Sequence, residues 1–386
     1  MDCGLSPSLL NSSPFAGKSV LAPTTPAFRF GFPNSRVGGS GIGWRRALVV
    51  AASGGRASRS QCEFSGLNAP LEPTTPSGRF LSTVFQNDRE YFPLAVEKQL
   101  EQLAYDRDEA AARMTLSLAS DEACLHRRIA ELRALDCGAA VEDVMYMSIL
   151  YKFSEIRVRL VPRLSKCIYN GRLEICPSRD WELESIHSLE ALEMVKEHLT
   201  TVVGWRANSK VTDNWAPTQV QRLHLCRVYA ASILYGYFLK SASLRHHLEQ
   251  SLDGGLSHLS TQVCPLGSKN VALSQGGGGM QPLLTGPISF VQGEKHETLK
   301  SYVMGFDPET LQMCAKPKSK SAMNLIERQS SALFGDERSG LLLESNEVIL
   351  TSLASLKRIV LEAIAFGSFL WETEEYVNNI YDLEAN

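Results

Sequence analysis

Twice in this chain a glycine stands inside an apolar run with helical periodicity: Gly236 in SILYGYFL, residues 232–239, and Gly367 in AIAFGSFL, residues 363–370. Glycine in a helix interior costs about 1 kcal/mol relative to alanine. Its place on an apolar stripe therefore implies that another backbone comes close, since only a missing side chain admits such an approach. Leu225, Tyr229, Ser232, Gly236 and Leu239 fall at spacings of three and four, and so do Leu356, Val360, Ala363, Gly367 and Leu370. In both stripes a small residue precedes the glycine by one turn. Close helix packing is the expected use; a slot for a flat apolar ligand, framed by Tyr235 and Phe238, is the alternative.

The two segments also match each other. At an offset of 131 residues, Arg227 meets Arg358, Val228 meets Ile359, Ile233 meets Ile364, Tyr235 meets Phe366, and Phe238 with Leu239 meets Phe369 with Leu370. An earlier echo, AVEKQLEQL from Ala95 against LIERQSSAL from Leu325, aligns Glu97 with Glu327. Such recurrence is what two copies of one helical unit produce. Between Glu97 and Arg227 lie 130 positions, but between Glu327 and Arg358 only 31, so the first copy carries an insertion of about 100 residues. The expected units are 80–252 and 297–386, joined by a linker at 253–296 rich in Gly, Ser and Pro. Arg227 and Arg358 sit in runs that are apolar nearly all round, where a buried charge needs a partner. The repeat offers Glu97 for Arg227 and Glu327 for Arg358, or the exchanged pairs.

Helix signals dominate the rest of the chain. Pro93 suits the first turn of a helix, Asp121 a cap, Gly138 a break before VEDVMYMSIL, and Pro162 a stop. APTQVQRLHL and SNEVILTSLASLK are read as the openings of the two glycine-bearing helices, and Asp307-Pro308 as the start of a short one. Only NGRLEICP, with its Asn170-Gly171 turn, predicts strands, a small hairpin near 168–176. The fold class is mainly all-α, a multi-helix bundle of two related units.

The first 51 residues differ sharply from the rest of the chain. Asp2 is their only acid against five basic residues, and Ser, Thr, Pro and Gly fill much of the remainder. That composition predicts an organelle transit peptide. Prolines at 7, 14, 23, 26 and 33 oppose the amphipathic helix of a mitochondrial leader, and Val49-Val50-Ala51 resembles a plastid processing pattern, with cleavage between Ala51 and Ala52. Residues 52–79 read as a flexible lead-in. Without the leader, 39 basic and 42 acidic residues become 34 and 41. A mildly acidic protein is poorly suited to nucleic acid.

No constellation of catalytic, cofactor-binding or metal-ligating residues is legible. The nine cysteines include no C-x-x-C pair or zinc spacing, and Glu184 with His187 lacks the second Glu-x-x-His of a di-iron bundle. No apolar run reaches the ~20 residues of a membrane span. The paired helical segments, the FGSFLW sequence at 366–371 and the plastid-like leader resemble the plant chloroplast proteins described as UV-B-induced, which share a domain of unknown function. The resemblance implies a plastid address and a light-stress context, and no catalytic residue to carry over. The expected protein is a soluble stromal helical one, a non-enzymatic interaction or regulatory factor with a protein partner. The alternatives are a helical enzyme or small-molecule carrier with its pocket at the glycine-bearing helices, and a peripheral thylakoid protein.

Overall fold

The computed structural model describes residues 69–204, 216–260, 298–335 and 347–386, all within the second of two compact units of the chain, Ser58–Asn386. The leader, its cleavage point at Ala51 and Ala52, and most of the 253–296 linker lie outside the described residues. The architecture is mainly α, as the periodicity predicts, with one small sheet.

Helix α1 (Pro76–Asn87) starts where the Thr75 hydroxyl accepts the Gly78 N–H and Pro76 fills the first turn. Residues 69–79 are not a loose lead-in. Thr74 and Thr75 donate their backbone N–H groups to Asp143 at 2.8 Å, and the Thr75 hydroxyl adds a third bond at 2.9 Å. Helix α2 (Phe92–Leu116) opens with Pro93 in its first turn. Helix α3 (Ala123–Glu155) corrects two expectations. Glu122 rather than Asp121 occupies its cap, without a side-chain bond, and the helix runs unbroken through Gly138. Glycine's cost of about 1 kcal/mol is small beside the packing of the next two turns, in which Val141, Val144, Met145 and Tyr146 are wholly buried. The helix ends well before Pro162.

A single turn, α4 (Leu164–Cys167), leads into β1 (Ile168–Tyr169) and β2 (Arg172–Leu173), the hairpin expected from Asn170-Gly171. Both turn residues have positive φ, 50° and 74°, which suits Asn and Gly. Helices α5 (Asp180–Glu184) and α6 (Leu189–Val203) come next, separated by the Ser188 cap. The openings of the glycine-bearing helices prove to be strands: β3 (Pro217–Gln221) before α7 (Arg222–Ser260), and β4 (Val348–Ser352) before α11 (Leu353–Tyr381). Between those two helices lie α8 (Leu299–Met304), α9 (Pro308–Ala315) and α10 (Lys320–Phe334), with Asp307 capping α9 as expected. The sheet order is β1-β2-β4-β3, with β2 and β4 parallel and the outer pairs antiparallel. Val348-Ile349 and Thr351 are β-branched and suit a pleated surface, and Ser352 then caps α11 by accepting the Ser355 N–H.

Helix α11 lies at the centre, with every residue from Arg358 to Leu370 buried. A helix buried all round is walled by others; here α2, α3, α5, α6 and above all α7 do so. Leu100, Tyr146, Tyr229, Leu325 and Phe366 belong to one hydrophobic cluster, so residues from both expected units share a core. Among the described residues no helix is long and apolar enough to cross a membrane.

Candidate functional site

Both glycines lie where α7 crosses α11. A Cβ on Gly236 would collide with the Ile364 carbonyl, and one on Gly367 would collide with the Ile233 carbonyl and crowd the Tyr237 N–H. The contact is reciprocal in the numbering of the sequence echo, since Ile233 and Ile364 are partners at the same offset of 131 as the glycines. Ser368 fastens the crossing, its hydroxyl lying 3.2 Å from Gly236 O and 3.1 Å from Ile364 O. The slot considered from the sequence is therefore occupied by backbone. Tyr235 stacks on His198 at 4.2 Å and donates its hydroxyl to Met194 O, and burial pushes its phenol up to about 12. Phe238 packs with Ala242 and Cys314 in a satellite cluster, while Phe369 meets Phe153 edge-to-face at 5.1 Å.

The four charged repeat positions do not form the expected pairs. Glu97, Arg227 and Glu327 are exposed. Arg358 alone is buried; it pairs with Glu362 one turn along at 3.1 Å and donates to Arg159 O at 2.8 Å. The difference lies in the surroundings: α7 keeps a solvent-facing side on which Arg227 lies, whereas α11 has none at position 358. Arg328, next to Glu327, makes the cross-helix pair instead, to Glu142 at 2.8 Å and Asp143 at 2.9 Å.

Buried or half-buried acids carry the polar organisation of the core. Asp143 joins α1, α3 and α10 through the bonds just given. Glu362 accepts the Val161 N–H at 2.9 Å and so holds the chain after α3 against α11. Glu374 accepts from the Ser319 N–H at 2.7 Å and its hydroxyl at 2.5 Å, and from the Tyr237 hydroxyl at 2.5 Å, binding the start of α10 to α7 and α11. Glu372 lies between Lys152 of α3 and Lys240 of α7, at 2.6 Å from each. Although burial pushes its carboxyl up, the two ammonium groups hold it below the usual range. Sequence reading missed these acids. Only Glu362 carries a signal, as a lone acid within the apolar run VLEAIAF; Asp143 beside Glu142, and Glu372 and Glu374 within WETEEY, read as ordinary surface acids.

Two cavities flank Glu372. One of about 170 Å³ lies one turn beyond the glycine crossing, among His187, Lys240, Ser243, His247, Ser368 and Glu372. Burial, helped by Lys240, lowers the His187 imidazole to about 4 and so keeps it neutral. The other, of about 300 Å³, lies between α2, α3 and α11. Ser232 and His198, 3.0 Å apart, resemble part of a nucleophilic set, but Ser232 is wholly buried where no substrate reaches. On α6, Glu190 accepts the Leu299 N–H at 3.0 Å and Glu197 pairs with Lys300 at 2.9 Å, so both dock α8.

Geometry thus defines a helical bundle locked by a glycine crossing and by carboxylates that each tie several elements. The family model described as Protein of unknown function (DUF760) matches residues 124–252. UV-B-induced protein At3g17800, chloroplastic, from Arabidopsis thaliana is 36% identical over 359 residues, covering 89% of this chain and 84% of that protein. No solved structure matches the chain. The chain belongs to the family of plant chloroplast UV-B-induced proteins.

Proposed function

We propose that this chain is a stromal, non-enzymatic interaction factor in the chloroplast response to UV-B light, and that it engages a helical protein partner through the arm formed by α2 and α3. The relative's name, chloroplastic and UV-B-induced, supports the address and the context, as does the acid-poor leader. The arm carries the reading. From Asp108 to Asp136 no residue is buried. Leu125, Ile129 and Leu132, four and three apart on α3, are 58, 44 and 45% exposed, and Leu116 and Leu135 add to this apolar surface. Unpartnered stripes of this kind mark interaction surfaces. Exposed Arg128, paired with Glu131 at 3.2 Å, and Arg133 flank the stripe, and the partner that fits it is an amphipathic helix whose apolar face covers Leu125, Ile129 and Leu132. The buried acids, by contrast, are committed to holding the fold. The reciprocal glycine contact supports reading residues 225–239 and 356–370 as copies of one unit, paired as a pseudo-twofold axis would pair them.

The test uses isolated chloroplasts. Protein purified from them should begin near Ala52, and the full chain should capture a protein that a Leu125→Ser, Ile129→Ser, Leu132→Ser variant of unchanged melting temperature does not. A chain excluded from chloroplasts, or identical capture by both proteins, contradicts the proposal.

A further inference from the structure

The smaller cavity, of about 170 Å³, combines an apolar wall with a polar face on α7. Lys240, Ser243 and His247 line it, and their spacings of three and four set them on one side of that helix. Ala242 and His246, on another side of α7, pack against Cys314 and Tyr302 instead. Ile186, Ala191, Leu239, Leu244 and Phe369 supply the apolar wall. An apolar space of about 150 Å³ holds a benzene ring, so a body of that size fits.

Charge at the polar face is unbalanced. Among the described residues Glu372 is the one acid lining the cavity, and its two oxygens are taken by Lys152 and Lys240 at 2.6 Å each. Two ammonium groups against one carboxylate leave one positive charge, and the Lys240 side chain stays 36% exposed. His187, kept neutral by burial and by Lys240, brings no opposing charge.

The hydroxyls divide into two kinds. Ser188 accepts the Ala191 N–H and Ser368 fastens the helix crossing, so both serve the fold. Ser148, Ser251 and Ser368 each lie within 3.1 Å of the carbonyl four residues back, the usual bond of a helical serine. Ser243 makes no such bond: half-buried, its hydroxyl is hydrogen-bonded to nothing among the described residues and is not among the fully covered groups. The exposed His247 ring is likewise unbonded among them.

We infer that this cavity binds a small monocarboxylate with an apolar body about the size of a benzene ring, its carboxylate pairing with Lys240 and accepting from the Ser243 hydroxyl, and its body lying against the apolar wall. A cation would find no free carboxylate there. A phosphate dianion would exceed the one surplus charge and gain nothing from Ile186, Leu239 and Phe369. The cavity shares no residue with the exposed α2–α3 arm, so the interaction reading and the ligand reading stand or fall independently.

The experiment is calorimetric titration of the full chain with benzoate, benzamide and benzamidine, which share a shape and differ in charge. Saturable binding of benzoate at one site is expected, with benzamide about tenfold weaker and benzamidine without saturable binding. Lys240→Gln removes the surplus charge but leaves Lys152 paired with Glu372; it should weaken benzoate about tenfold or more and leave benzamide nearly unchanged. Ser243→Ala, which replaces serine by a better helix former, should melt no lower than the native chain yet bind benzoate about tenfold more weakly, the loss of one hydrogen bond to a charged group. Absence of saturable benzoate binding, benzamide or benzamidine binding as tightly as benzoate, or benzoate affinity unchanged in either variant overturns the inference.

Discussion

Glu362 lies wholly inside the protein, with one carboxylate oxygen bonded to Val161 N–H and Arg358 and the other bonded to nothing among the described residues. Burial raises its carboxyl to about 7, against the pull of Arg358 and the Val161 N–H. A folded-state value above the unfolded one, near 4.5, means that between about pH 4.5 and 7 the folded protein holds a proton that the unfolded chain has shed. Stability therefore falls as pH rises through that window, and the cost persists above it. Glu362→Gln keeps an acceptor for Val161 and has no proton to lose. In urea titrations it should match the native chain at pH 5 and exceed it at pH 8 by up to roughly 3 kcal/mol. His187, lowered to about 4, produces the opposite slope: its contribution is present above pH 6.5 and lost as pH falls towards 4. Both proteins contain it, so it cancels in the comparison. A variant several kcal/mol less stable at pH 8 would show that the ion pair with Arg358 outweighs its desolvation.

Single elements divide into those written locally and those set by distant partners. The 168–173 hairpin is legible because Asn170 and Gly171 specify their own turn, and α9 because Asp307-Pro308 specifies its own start. Strands β3 and β4 are not legible in the same way, because each runs into a helix without a break and their strand character depends on pairing across the chain, as in Gln219 with Leu350. Gly138 does not interrupt α3, because tertiary packing of the next two turns outweighs a local preference. The site divides similarly. Glycines on an apolar stripe disclose a close approach from sequence alone, whereas the partners of Glu374 and Asp143 come from segments 55 to 185 residues away. The same distinction predicts dynamics. Helix stability comes mainly from packing of a buried face, and residues 108–136 have none. In hydrogen exchange their amides should exchange far sooner than those of 358–370, where opening requires global unfolding. Comparable protection in the two segments would mean that the arm is covered, by a second copy or by another part of the chain.

Across the whole molecule, the α7–α11 crossing connects everything else. Strands β3 and β4 lead into these two helices side by side, Glu372 and Glu374 join them to α3 and α10, and the cavities open beside α11 within about two turns of the crossing. The glycines are there because the two backbones touch, each helix filling the space that the other's missing side chain leaves. Elsewhere in a helix, replacing glycine by alanine stabilises by about 1 kcal/mol. The decisive measurement is therefore the urea-unfolding free energy of Gly236→Ala, Gly367→Ala and the double variant. Each single change should destabilise by about 1 to 3 kcal/mol through overpacking, and the double should cost less than the sum, because both force the same pair of helices apart. A gain in stability from either alanine, or strict additivity in the double variant, would contradict the reciprocal crossing.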